Sequence, residues 1–273
     1  MDHDKDKRIM LRLHEHLDAV KEKHPEWVGI FLQGSQNYGL DYEGSDIDSK
    51  LIVLPAFEDF VLNKKPHSYT YIMENEEHVD VKDIRLMFDC FRKQNINFVE
   101  ILFTKYRILN PTYEELFLPV LNIRERIGRY NDFAALNCMV GMALEKRKAL
   151  CHPYPATMDK IEKFGYDPKQ LHHIFRLREF MKRWIEGTPY EDCLVSEMRD
   201  MLLQIKLGEK YDKDAAIKFA DDLVTGMEGI RDMYFSNHVS ATVDRGVDTV
   251  LNQAILELFK KTFIRSLTLP LLR

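Results

Sequence analysis

Apolar residues recur at Ile9, Leu13, Leu17 and Val20, a spacing that puts them on one face of a helix opening the chain. After His24-Pro25 the run WVGIFLQGS is rich in β-branched and aromatic residues and stops at a glycine, which predicts a buried strand. A second such run, SKLIVL from Ser49 to Leu54, is terminated by Pro55. Tyr69 to Met73 and His78 to Val81 are expected as strands joined by the polar turn Glu74 to Glu77, and Ile84 to Arg92 returns to helical spacing. From Asn110-Pro111 onward strand signals vanish and helical periodicity dominates. Breaks at His152 to Pro155, Gly187 to Pro189, Gly208 and Gly246 divide this stretch into about five helices. The pattern predicts an α+β chain: a small mixed β-sheet with helices over residues 1–110, then an all-helical domain over residues 111–273.

Composition narrows the class. Of 273 residues, 45% are hydrophobic and 30% charged, the balance of an ordinary globular protein. No apolar run reaches membrane-spanning length and charges punctuate the N-terminus, so neither a membrane span nor an export signal is expected, and a cytoplasmic location is. Cys90, Cys138, Cys151 and Cys193 form no CxxC pair and are expected as thiols in a reducing compartment. A net charge of −5 argues against a chain coated in basic surface for sequence-independent nucleic-acid binding, while leaving room for a local basic cleft.

The segment GSQNYGLDYEGSDIDSKLIV carries the candidate chemistry. Side chains alternate along a strand, so Asp46 and Asp48, opening the second strand, are expected to present two carboxylates on one face while Ile47 turns into the core. Two such carboxylates repel unless a cation lies between them, and their hard oxygens suit Mg²⁺ or Mn²⁺. Gly34 and Ser35, directly after the first strand, supply a tight turn whose amides and hydroxyl are suited to phosphate oxygens. Aspartates spaced this way are most often solvated loop residues. The strand, Gly-Ser turn, Ser45-Asp46-Ile47-Asp48 and following apolar strand make a combination that chance seldom supplies.

At these residues the chain resembles the DNA polymerase beta superfamily of nucleotidyltransferases, whose signature is Gly-Ser followed by two carboxylates one residue apart. GSQNYGLDYEGSDIDSKLIVLP is more specifically similar to the RNA repair pathway DNA polymerase beta family. Two further segments agree: NINFVEILF, with Asn95 and Glu100, and FGYDPKQLHHIFRL, from Phe164 to Leu177. The resemblance covers roughly residues 28 to 185. It implies a third carboxylate between apolar residues on a neighbouring strand, which Asp80 in Val79-Asp80-Val81 fits; Asp83 is the alternative. It further implies that Asp46, Asp48 and Asp80 hold the metal ions, with Ser45 beside them near the nucleotide.

A helix from Pro168 with Asp167 as its cap would align Lys169, His173 and Arg176 on one face. A basic stripe of this kind is often merely solvated, but the resemblance falls on these residues and implies a nucleotide-binding face. His172 is expected to be structural or exposed. Arg124, Arg126 and Arg129 are better explained as a solvated face, and Lys146, Arg147 and Lys148 as cations favoured at a helix C-terminus. Tyr38 and Tyr42 are equally suited to stacking on a base or packing under the loop.

The expected activity is metal-dependent transfer of a nucleoside monophosphate from an NTP to an acceptor hydroxyl, with pyrophosphate released and two divalent ions in the site. An RNA or tRNA end is the acceptor that the family's name suggests. A protein or small hydroxyl compound is the alternative, with a non-catalytic nucleotide-binding module as a third.

Overall fold

The computed structural model describes residues 3–42 and 44–268. They form an α+β fold in two compact units, one drawn from residues 1–37, 41–130 and 244–273, the other from 38–40 and 131–243.

The first unit is built on a five-stranded sheet: β1 (Trp27–Gln33), β2 (Asp48–Val53), β3 (Ser68–Ile72), β4 (His78–Asp83) and β5 (Arg107–Leu109), in the order β3-β4-β2-β1-β5. Strands β2 and β4 are parallel and the other neighbours antiparallel. Helix α1 (His3–Val20) lays Ile9, Leu13, Leu17 and Val20 on one face of this sheet, against Ile30, Leu32, Leu51, Val53, Val79 and Val81. These are the alternate positions of near-continuous apolar strands, which is why one face could be filled by a single helix. The unit also holds α2 (Phe57–Val61), α3 (Ile84–Arg92), α4 (Ile96–Val99), α5 (Glu114–Asn122) and α6 (Arg124–Gly128). On the other face, Phe117 of α5 meets Phe31 of β1 with ring centroids 6.0 Å apart.

The second unit holds α7 (Asp132–Ala149), α8 (Met158–Phe164), α9 (Pro168–Ile185), α10 (Tyr190–Leu194), α11 (Arg199–Lys206) and α12 (Lys213–Asn237). Helix α13 (Arg245–Thr268) then returns to the sheet unit.

The division therefore falls at Tyr130–Asn131 in place of the expected boundary near residue 110. Phe117, Val120 and Leu121 are buried, and Asn110 is tied to β1 by its amides, donating to the Trp27 and Val28 carbonyls, so the chain past Asn110 still belongs to the sheet. Val247, Leu251 and Leu258 bury the returning α13, which packs along α5. Nine helices, α5 to α13, follow residue 111 among the described residues, where about five were expected. Gly246 is no break; it sits in the first turn of α13 with its amide donating to Asp244 Oδ1 at 3.0 Å. The break lies just before, over 238–244, a stretch with neither glycine nor proline to mark it. No described helix is long and apolar enough to cross a membrane.

Candidate active site

Strand β1 ends at Gln33, and Gly34 turns the chain at φ +84°, a left-handed conformation that disfavours any side chain. The turn is closed by Asn37, whose amide donates to the Gly34 carbonyl at 3.0 Å and whose side chain donates to Leu32 O at 2.9 Å. Ser35 starts the 3₁₀ turn Ser35–Tyr38. The Gly34 amide does not face open space as a phosphate ligand would require: it donates to Glu100 Oε1 at 3.2 Å, and Glu100 is buried. The Asn95 and Glu100 segment thus acts through the turn, with Asn95 capping α4 by accepting from the Asn97 amide at 3.1 Å.

The strand carrying the aspartate pair begins at Asp48, two residues later than expected, and Asp46 lies in the loop before it. The alternation nevertheless extends back through the loop: Asp46 is exposed, Ile47 buried in the α1 core and Asp48 half-exposed. Ser45 Oγ accepts from the Tyr42 amide at 2.9 Å, so that hydroxyl braces the loop. Asp48 Oδ1 accepts from the His78 amide at 2.9 Å.

A buried polar network fixes this entry to β2, and the sequence pattern carried one indirect sign of it. Glu77 Oε1 accepts from the Ile47 amide at 3.2 Å, while its Oε2 meets Arg12 at 2.6 Å and His16 Nε2 at 2.9 Å. His16 Nδ1 lies 2.9 Å from Ser49 Oγ. Burial holds the His16 imidazole below its ordinary pKa against the pull of Glu77. The only available signal was that His16 shares the buried face of α1 with Leu13, Leu17 and Val20.

Parallel register pairs Lys50 of β2 with Asp80 of β4, so Asp48, Lys50 and Asp80 share one sheet face. Asp80 Oδ1 accepts from the Thr70 hydroxyl at 2.6 Å, and its Oδ2 lies 3.3 Å from Gln33 Nε2 and 3.5 Å from Lys50 Nζ. Burial pulls the Asp80 pKa up, but Thr70, Lys50 and Gln33 together hold it below the usual carboxylate range. Lys50 is 2% exposed. Burial lowers its pKa to about 8 despite Asp80, which leaves an ammonium at neutral pH. Asp83 turns to the other face, fully buried, caps α3 by accepting from the Arg85 amide at 2.9 Å, and pairs with the Arg85 guanidinium at 2.7 Å.

In the helical unit, Asp167 caps α9 as expected, accepting from the Lys169 amide at 3.0 Å. Lys169 is exposed, His173 half-buried and Arg176 only 8% exposed. A merely solvated stripe would leave Arg176 in water; instead its guanidinium stacks 3.9 Å from the ring centroid of Tyr38, itself buried. Burial first, then the cations Arg176, Lys146 and Lys169 together with His172, push the His173 imidazole well below its ordinary pKa. His172 is structural: buried, with Nδ1 2.9 Å from the Leu202 carbonyl oxygen and a pKa lowered to about 4 by that burial. Of the remaining arginines, Arg126 pairs with Asp244 at 2.8 Å and Arg129 with Glu125 at 2.9 Å.

Among the described residues, no three His, Cys, Asp or Glu side chains gather as a metal-binding group. Asp46 and Asp48 are hard oxygen donors open to water, which suits one Mg²⁺ or Mn²⁺ keeping waters and taking substrate oxygens as further ligands. Asp80 does not fit the expected shared set, because it already faces the Lys50 ammonium, 3.5 Å from its Oδ2, where a cation would be repelled.

No protein-family model matches the chain, and no curated protein matches it. Among solved structures, a nucleotidyltransferase-like protein from Exiguobacterium sibiricum 255-15 is 10% identical, with 80% of this chain and 74% of that one covered. Its TM-score of 0.28 is too low for the likeness to support an assignment.

Proposed function

We propose that this chain is a metal-dependent nucleotidyltransferase of the DNA polymerase beta superfamily, with Asp46, Asp48 and Asp80 as its carboxylates. The observation that supports this most is their arrangement: a Gly-Ser turn after β1, an aspartate pair at the entry to the adjacent strand β2, and a third aspartate on β4 sharing the face of Asp48. Asp46 and Asp48 would hold a divalent ion, which when bound supplies neutralisation of the triphosphate and polarisation of its α-phosphorus. Gly34, Ser35 and Ser45 shape the loop that the triphosphate would lie against. With the Gly34 amide given to Glu100, the Ser35 and Gln36 amides and the Ser35 hydroxyl are assigned to its oxygens. Asp80, held ionised, would orient an attacking hydroxyl and accept its proton. Lys169, His173 and Arg176 are assigned to triphosphate binding on the family resemblance, with Lys169 and Arg176 supplying the positive charge. Catalysis would consist mainly of positioning and charge compensation as the acceptor oxygen bonds to the α-phosphorus and pyrophosphate leaves in line.

An RNA or tRNA end is the acceptor that the resemblance suggests. The net charge of −5 favours a protein or small hydroxyl compound, since a chain binding RNA through its backbone gains from excess positive charge. Incubation with each α-labelled NTP and Mg²⁺ or Mn²⁺, offering tRNA, oligonucleotides, protein extract or small metabolites, decides between them. Label should become covalently attached to one acceptor class and stay free with Asp46→Asn/Asp48→Asn. Label attached to nothing across the panel would favour the non-catalytic binding module.

A further inference from the structure

Lys50 is a buried ammonium on the sheet face that carries Asp48 and Asp80. Its position on β2, two residues after Asp48, turns it to the same side of the sheet. Its Nζ lies 2.7 Å from Gln33 Oε1, 3.4 Å from the Asn97 carbonyl oxygen and 3.5 Å from Asp80 Oδ2. The Phe98 ring covers it, with the centroid 4.4 Å away. Each of these four contacts is an acceptor, a carboxylate or the negative face of a ring, and they suit a cation even with Lys82 on the same strand face as Asp80.

Asp80 is likewise committed. One oxygen takes the Thr70 hydroxyl and the other the Gln33 amide and Lys50. A divalent ion bridging Asp80 and Asp48 would have to share the Asp80 oxygens with Thr70, Gln33 and Lys50 and would meet the Lys50 charge, which is buried away from screening water.

We propose, resting on the nucleotidyltransferase reading, that Lys50 is a built-in counter-cation for Asp80, so that the site takes one divalent ion per chain, on Asp46 and Asp48, in place of two. Asp80 is then a carboxylate compensated from within the protein, and no metal ligand. A structural ion pair without this role predicts the same contacts, but not the same response of metal binding to substitution.

The test counts bound metal. Mn²⁺ is titrated into the full chain with the α,β-methylene analogue of whichever triphosphate most stabilises it, and bound ion is read by electron paramagnetic resonance. The wild type should bind one Mn²⁺ per chain. Lys50→Met, which keeps the apolar stem and removes the charge, should bind two. Asp80→Asn should still bind one, with affinity changed less than about threefold, and this variant decides the matter if Lys50→Met does not fold. Two ions on the wild type, one ion on folded Lys50→Met, or a tenfold loss of affinity in Asp80→Asn would each overturn the role of Lys50 while leaving the nucleotidyltransferase reading standing. No Mn²⁺ retained by the wild type would overturn both.

Discussion

Asp80 and Asp83 stand three residues apart on one strand and end on opposite faces of the sheet. Asp83 is a helix cap paired with Arg85, so Asp83→Ala should cost about 1–2 kcal/mol in a denaturant titration and leave nucleotide transfer per folded molecule unchanged. Asp80→Ala should abolish transfer while triphosphate binding persists, because Asp46 and Asp48 remain. Transfer that survived Asp80→Ala and died with Asp83→Ala would reverse the assignment. His172 gives a pH test at the same scale. Its folded pKa of about 4 lies below the ordinary 6.5, so the unfolded chain binds more protons between those values and stability falls as pH drops from 6.5 toward 4. The loss between pH 7 and pH 5 is on the order of 2 kcal/mol. His172→Gln should flatten that part of the urea-midpoint profile; an unchanged slope would mean the imidazole is not held neutral.

The entry to β2 is where elements cooperate. Glu77 on the turn before β4 joins His16 and Arg12 of α1 to the Ile47 amide, and Ile47 lies between the two aspartates. Glu77→Ala leaves the buried His16 imidazole and Ile47 amide, and the half-buried Arg12, without this partner and should cost about 2 kcal/mol or more. It should also weaken Mn²⁺ affinity, measured by titration, because the loop holding Asp46 loses its anchor; unchanged affinity would show the brace to be purely structural. Short-range pattern revealed much of this region: the apolar runs of β1 and β2, the stripe of α1 and the aspartate pair all announce themselves within a few residues. The brace did not, since its members come from α1, the β3–β4 turn and β2, and pattern reports spacing rather than cross-chain pairing. Lys50 was hidden for the same reason, as its burial depends on Gln33, Asp80 and Phe98 arriving from elsewhere. Asp167 and the α9 face were legible because a cap and a helical repeat are local. On that face, Arg176→Ala should weaken triphosphate binding at least tenfold and Arg178→Ala, about 200° further round, little. Equal effects would leave the α9 face without a nucleotide role.

For the molecule as a whole, the chain leaves the sheet unit at Tyr130 and returns at Asp244. A helix of alternating apolar and charged turns looks the same wherever it packs, so periodicity could not tell that α13 rejoins the first unit. Truncation after Val243 removes Val247, Leu251 and Leu258 from that unit's core and should unfold the sheet, seen as loss of its cooperative melt, where an independent C-terminal domain would have tolerated the cut. The central claim, that Asp46 and Asp48 bind a metal–triphosphate, can be tested before any acceptor is known. A ligand that binds only the folded protein raises its melting temperature by mass action. With Mn²⁺ and a saturating nucleoside triphosphate the wild type should melt about 5 °C or more higher than without them. The Asp46→Asn/Asp48→Asn protein, equally folded without ligand, should lose most of that shift, and a metal-dependent shift of the same size in both proteins would contradict the assignment.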